Sequence, residues 1–343
     1  MNIDEQKFAW YGIDTKKDLN LSAICNKPFS TVLVDKLGDV YLCDCQAWLP
    51  APVGNLHEHS LEQIFENENA EEIRETMLDG SYKYCNTKQC IFLNNEFIQR
   101  QATLVPPVEL VTIRLGIDES CNLRCPSCRT EMIYDTDRDS LKKKFRIADK
   151  VIDYLNHDDN GLNIIIGSDG DPFASLVYRY LMKHAPNKGS VRYSIQTNGL
   201  LIKKMMLRFS NVFNNLQMLQ VSIDGATKDT YEKIRLGGKW EKIKENMEHI
   251  SKVKDQYHFL WHFDFVVQRD NFREIPMLLE WADRLGVDAV NLKPIEDWNT
   301  YTDIKQYQVW KKDHPDYDEY NSIMNSVKDH PKIAHRNFHW TLT

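Results

Sequence analysis

From residue 108 onward, apolar β-type runs recur at a steady interval, and helical patterns fill the gaps between them. The runs are VELVTIRLGID (108–118), LNIIIG (162–167), VRYSIQT (191–197), MLQVSID (218–224), LWHFDFVV (260–267) and AVNLKPI (289–295). Between them, FRIADKVIDYLN, LVYRYLMKHA, KWEKIKENMEHISKVK and IPMLLEWADRLG read as amphipathic helices. This alternation predicts right-handed βαβ crossovers and a parallel sheet. Six strand–helix units fall short of the eight that close a barrel. The predicted class is therefore α/β, a partial (β/α)6 TIM-like barrel, with ligand-handling residues at the C-terminal ends of its strands.

The first hundred residues follow another rhythm. TVLVD (31–35) and VYLC (40–43) are short β-type runs around the turn KLGD, which predicts a hairpin. Ser60 precedes one helical stretch, LEQIFENENAEEIRETML, and Gln63 three residues on completes a capping-box arrangement. Asp79-Gly80 supplies the stop. Paired prolines, Pro106-Pro107, cannot continue a helix and mark the linker. The pattern divides the chain into a small cysteine-rich α+β domain (1–105), the partial barrel (106–300) and a helical or irregular extension (301–343). The extension, rich in Trp, Tyr, Asp and His, either covers the barrel mouth or packs outside it.

Composition narrows the partners. The chain has 343 residues, 42% of them hydrophobic, and a net charge of −7. An acidic balance argues against a nucleic-acid surface, which concentrates Lys and Arg. No apolar run reaches the roughly 18 residues that span a bilayer. The opening MNIDEQKFAW lacks the basic start and apolar core of a signal peptide. The expectation is a cytoplasmic protein without membrane partners. In that reducing setting the eight cysteines read as metal ligands or redox groups before disulfides. They are clustered: Cys25, Cys43, Cys45, Cys85 and Cys90 lie early, Cys121, Cys125 and Cys128 lie just after the first barrel strand, and none follows.

In SCNLRCPSCRT (120–130) three thiols gather with no fourth nearby. A closed structural zinc site wants four ligands. Three thiolates on a 4Fe–4S cube leave one iron open to a small molecule, although a zinc or redox trio with a distant fourth ligand also fits the spacing. The C-x3-C-x2-C spacing after strand one resembles the radical S-adenosylmethionine (radical SAM) enzymes. The resemblance implies that SAM chelates the open iron through its amino and carboxylate groups. It also implies that an electron from the cluster cleaves the sulfonium bond, and that the 5′-deoxyadenosyl radical takes a hydrogen atom from substrate.

Further strand ends carry the resemblance through residues 108–298. Gly170-Asp171-Pro172 is similar to the family's Gly-Glu-Pro motif, with Asp in place of Glu, and implies an edge for the SAM amino group. Thr197-Asn198-Gly199 is a common family ending of strand three. In VSIDGATKDTYEKIR the family pattern implies Ser222 and Asp224 near the ribose or carboxylate, and Arg235 as the carboxylate's partner, a task suited to a guanidinium fork. Ser127 occupies the position whose backbone meets adenine in the family.

The early cysteines resemble the SPASM module, an auxiliary iron–sulfur domain of many radical SAM enzymes. The carriers are Cys25-Asn-Lys-Pro-Phe, Gly38, Cys43, VGNL…SLEQIF, Cys85 and Cys90. Two departures stand out: the module here precedes the barrel, and its cysteines suffice for one cluster. The resemblance implies Cys25, Cys43, Cys85 and Cys90 as ligands of one auxiliary 4Fe–4S or 2Fe–2S cluster. A zinc knot on the same four thiols is the alternative. Cys45 is left as a buried small hydrophobe, a substitute for Cys43, or a hydrogen-atom donor that quenches a substrate radical.

The resemblance implies an enzyme acting on a peptide or protein, served by a flavodoxin- or ferredoxin-like electron donor. Two alternatives stay open: a dehydrogenase or epimerase of a sugar or other small molecule, and a non-catalytic iron–sulfur electron carrier. His258 and His262 are expected on one face of strand five as a packed pair rather than a metal site. Asp264 and Gln268, on the same run, are candidates to meet SAM or substrate.

Overall fold

The computed structural model describes residues 24–87, 89, 90, 93 and 106–334. It forms two compact units. Of the described residues, the first holds those within 24–118, 136–169 and 180–192, and the second those within 119–135, 170–179 and 193–334.

In the first unit, the hairpin consists of β1 (Thr31–Asp35) and β2 (Asp39–Tyr41), paired antiparallel. Its turn needs Gly38, whose φ of +85° lies in the left-handed region. A third strand, β3 (Pro52–Asn55), pairs antiparallel with β2. On its other side β1 runs parallel to β4 (Thr112–Gly116), and β4 runs parallel to β5 (Leu162–Ile166). The segment after Pro106-Pro107 is tied back as well, with Glu109 and Val111 donating backbone N–H to Phe29 and Ser30.

The single helix expected over residues 61–78 is two helices, Leu61–Phe65 and Glu68–Leu78. The Ser60–Gln63 capping box forms as expected. The break follows from a second cap: Asn67 is extended, and its side chain accepts from Ala70 N at 2.9 Å. Asn favours such a cap over a helix interior because its short amide bonds the free N–H groups.

The second unit holds β6 (Val191–Thr197), most of whose residues belong here, with β7 (Leu216–Ser222), β8 (Leu260–Val267) and β9 (Ala289–Pro294). All adjacent pairs are parallel. The α/β class with parallel strands and intervening helices is thus the observed one. Trp261, Phe263, Phe265 and Val267 on β8 are fully buried. Trp240, Trp281, Phe263 and Trp261 form a chain of ring contacts at 5.3–5.5 Å between centroids, within the range favourable to aromatic pairs.

Beyond the sheet, helix Tyr317–Val327 packs on helix Ile275–Leu285. The chain then returns to β9, where Val290 donates to Lys332 O and Ala334 donates to Val290 O. His258 is not on β8. It ends helix Trp240–Tyr257 as a left-handed cap at φ +56°, which removes it from the face expected to carry His262. His262 is half-buried, and burial pushes its imidazole pKa down.

Candidate active site

In the second unit, the three-cysteine loop is fixed by backbone bonds at several points. Cys121 N donates to Ile133 O at 2.8 Å, and Arg124 N donates to Leu236 O at 2.9 Å. Cys128 N and Arg129 N both return to Cys125 O, a tight turn between the last two cysteines. A cavity of about 270 Å³ opens beside them. Its walls include Cys125, Ser127, Cys128, Asp224 and Arg235, five of the residues singled out in the sequence. They also include Lys293, Pro294, Ile295, Glu296 and Trp298, which no motif marked. Lys293 and Pro294 end β9 and the other three follow it, so the strand-end rule alone would have pointed to them.

Asp224 and Arg235 form a buried pair, with Arg235 Nε 2.7 Å from Asp224 Oδ2. The other carboxylate oxygen accepts from Val266 N at 2.8 Å. Burial alone would lower the pKa of Arg235, but the neighbouring Asp224 and Cys125 raise it overall, so the guanidinium stays charged. Glu274 shapes the turn between these two residues. Its carboxylate accepts from Ala226 N, Thr227 N and the hydroxyls of Thr227 and Thr230.

Asp171 sits differently from what its motif position suggests. It is fully buried, and its carboxylate is satisfied by protein donors. Oδ2 accepts from Thr197 Oγ1 at 2.7 Å and Asn198 N at 2.8 Å, and Oδ1 accepts from Phe173 N and Ala174 N. Asp171 therefore ties the loop that follows β5 to the end of β6. Asn198 extends the tie: its Nδ2 reaches Asn122 Oδ1 at 2.9 Å and Cys121 Sγ at 3.9 Å. Gly199 completes the turn at φ +77°, where a Cβ would stand 2.8 Å from both Ile243 and Val221. Only glycine fits there, so Asn198-Gly199 is more than a loose turn. Gly170 is the half-buried residue just before Asp171. Ser222 ends β7 opposite Asp264. Asp264 holds Asn291 Nδ2 and Lys293 Nζ, each at 2.7 Å, and so reaches the cavity through Lys293. Gln268 is buried, with its backbone N–H on Asn271 Oδ1.

In the first unit, Cys25, Cys43, Cys85 and Cys90 line one enclosed pocket with Lys27, Pro28, Trp48, Leu49, Met77, Tyr82 and Leu93. Cys45 is not among these lining residues; its carbonyl accepts from Trp48 N and Leu49 N in the turn beside the pocket. Burial pushes the Cys43 and Cys85 thiols well up and Cys25 up to about 11. Burial likewise pushes Cys125 up to about 11, with Arg235 opposing it. Thiolates in such surroundings suit a bound metal centre, whose positive charge deprotonates its ligands. Among the described residues no three His, Cys, Asp or Glu side chains converge on a single ion. A lone zinc would draw its sulfurs to about 3.8 Å apart.

Comparison with known proteins places the two cysteine groups in two family models. Residues 118–282 match the Radical SAM superfamily, and residues 25–91 match SPASM, an iron–sulfur cluster-binding domain. The chain is 27% identical over 191 residues to the "Probable GTP 3′,8-cyclase" of Methanococcus maripaludis, covering 55% of this chain and 61% of that one. It is 28% identical over 138 residues to the GTP 3′,8-cyclase of Alkaliphilus metalliredigens, covering 40% and 42%. It therefore spans less than two thirds of these relatives' length. In structure it is similar to Streptococcus suis SuiB bound to precursor peptide SuiA, at TM-score 0.44 and 12% identity over 91% of this chain and 72% of that one. Among the described residues no helix is long and apolar enough to cross a membrane. The cofactors that belong to the two matched models are a 4Fe–4S cluster with SAM and an auxiliary iron–sulfur cluster. The chain thus carries a radical SAM domain over residues 118–282 and, ahead of it in the sequence, an iron–sulfur cluster-binding domain of the SPASM type.

Proposed function

We propose that this radical SAM enzyme modifies a peptide or protein substrate by hydrogen-atom abstraction. The observation that carries the reading is the enclosed pocket of Cys25, Cys43, Cys85 and Cys90, within the segment that matches the SPASM model. Cys121, Cys125 and Cys128 hold the SAM cluster, and those four hold the auxiliary one. When bound, the SAM cluster and SAM together supply a 5′-deoxyadenosyl radical. The chain's own residues bind and orient. Arg235, kept charged by Asp224, meets the SAM carboxylate, and Ser127 offers backbone to the adenine. Gly170 lends its backbone to the amino group, and Ser222 stands near the ribose. Asp171 acts by holding Asn198 rather than by touching SAM, since its carboxylate is satisfied. A flavodoxin- or ferredoxin-like protein supplies the electron.

A second reading is favoured by the relatives named GTP 3′,8-cyclase: the substrate is a purine nucleotide and the product a cyclised one. One experiment tests both. The chain is reconstituted anaerobically and assayed for 5′-deoxyadenosine with SAM and a strong reductant, alone, with GTP and with candidate peptides. Acceleration by a peptide, lost when Cys121, Cys125 and Cys128 are changed to Ala, supports the first reading. Acceleration by GTP alone replaces it with the second. Cys45 is the candidate hydrogen donor. Its change to Ala is expected to abolish substrate product while sparing 5′-deoxyadenosine, and unchanged product removes it from the mechanism.

A further inference from the structure

We propose that Arg129, Arg235 and Asn198 form a donor shell that sets the reduction potential of the cluster held by the three-cysteine loop. The proposal rests on the reading that Cys121, Cys125 and Cys128 are that cluster's ligands. Each sulfur has its own N–H donor. Arg129 Nη2 lies 3.5 Å from Cys128 Sγ, Arg235 Nη1 lies 3.8 Å from Cys125 Sγ, and Asn198 Nδ2 lies 3.9 Å from Cys121 Sγ.

The three donors are fixed by bonds independent of the sulfurs. Arg129 Nη1 donates to the Glu119 carbonyl at 2.7 Å, which aims the rest of its fork at Cys128. Arg235 is held by Asp224. Asn198 has its Oδ1 occupied by Leu200 N at 3.1 Å and its backbone N–H on Asp171. That leaves its amide N–H₂ facing the cysteine loop. The satisfied Asp171 carboxylate is thus a positioning group, acting on Cys121 through Asn198.

An N–H donor on a thiolate withdraws electron density from the iron it binds and favours the reduced, more negative cluster. Hydrogen bonds to sulfur and local charge are the protein's main means of moving such potentials. The three donors are not equal. The Arg235 charge is offset by Asp224 at 2.7 Å, and Asn198 is neutral. Arg129 brings a guanidinium to Cys128 while its other arm is held on the Glu119 carbonyl. Its bond to sulfur is charge-assisted, whereas that of Asn198 is neutral. Charge-assisted bonds are about twice as strong as neutral ones.

The test is an EPR-monitored redox titration of the full, reconstituted chain. The SAM cluster is followed through the signal that changes shape when SAM is added. Arg129→Gln is expected to lower its midpoint about tenfold in the reduction equilibrium, which is about 59 mV for a one-electron couple. Asn198→Ala is expected to lower it about threefold, in keeping with a neutral donor. Arg129→Lys, which keeps the charge, should stay near wild type. Arg129→Gln and Asn198→Ala, both with full iron content and wild-type midpoints, overturn the proposal. If Arg129→Gln fails to hold the cluster, Arg129→Lys decides. Retention of iron at the wild-type midpoint supports the donor shell. Loss of iron there too overturns it, because the guanidinium then serves only the loop through Glu119. A wild-type chain with no SAM-responsive signal would instead sink the ligand reading beneath it.

Discussion

The two cysteine groups are built on opposite plans. Around Cys25, Cys43, Cys85 and Cys90 the walls are mostly apolar or aromatic, with Trp48, Leu49, Met77 and Leu93 pressed against the thiols. Around Cys121, Cys125 and Cys128 the neighbours are guanidinium and amide donors, and the cavity alongside holds Lys293, Glu296 and the Asp224–Arg235 pair. A fully ligated cluster needs exclusion of water and little else. A cluster that must accept a charged small molecule needs polar groups already in place, because each buried charge costs several kcal/mol unless it meets a partner. On the proposed ligand assignment, four thiols in a mostly apolar pocket and three in a polar one correspond to that distinction.

The comparison breaks most sharply at the closed pocket. Cys85→Ala is expected to lose the iron of the auxiliary cluster and to abolish substrate turnover, while 5′-deoxyadenosine still forms in a small amount. Iron analysis and the cleavage assay read the two effects separately. Equal loss of both activities would mean that the two groups are not independent. At the polar site, Gly199→Ala is expected to cost about 2–4 kcal/mol of stability, since it combines a left-handed backbone with a buried clash. Its denaturant midpoint should fall, and SAM affinity should fall further because Asn198 is displaced; unchanged SAM binding would detach this turn from the site. The smallest effect tests neither group. Ser60→Ala removes one half of an exposed capping box and should cost about 1 kcal/mol. Both iron–sulfur spectra should remain as they are, so a change in either would show that this helix start supports a thiol pocket directly.

The strands were legible where apolar β-type residues ran together. TVLVD, VRYSIQT and LWHFDFVV coincide with β1, β6 and β8, because short runs rich in β-branched and aromatic residues mark mostly buried strands. PVGN was missed as β3: Pro and Gly are depleted in strands, and antiparallel pairing with β2 overrides their preference. The break at Asn67 was missed because the apolar spacing runs on through it, and only the side-chain cap stops the helix. Within the site, motif residues such as Asp224 and Arg235 were found at once. Arg129, Asn122 and Lys293 were not, since their roles arise from contacts to distant residues rather than from local spacing. Asp171 shows the limit from the other side. Its position in the motif was visible, but the four donors that saturate its carboxylate were not.

The short return of the chain to β9 covers part of a sheet edge. β9 pairs with β8 on one side. On the other, Val290 exchanges backbone bonds with Lys332 and Ala334. An uncovered parallel strand rich in apolar residues is a template on which a second molecule can add. Residues 332–334 occupy that template at Val290 and end its ladder with three residues rather than with another strand. A few backbone bonds far along the chain from any cysteine thus leave less of that edge open to pairing with a second molecule.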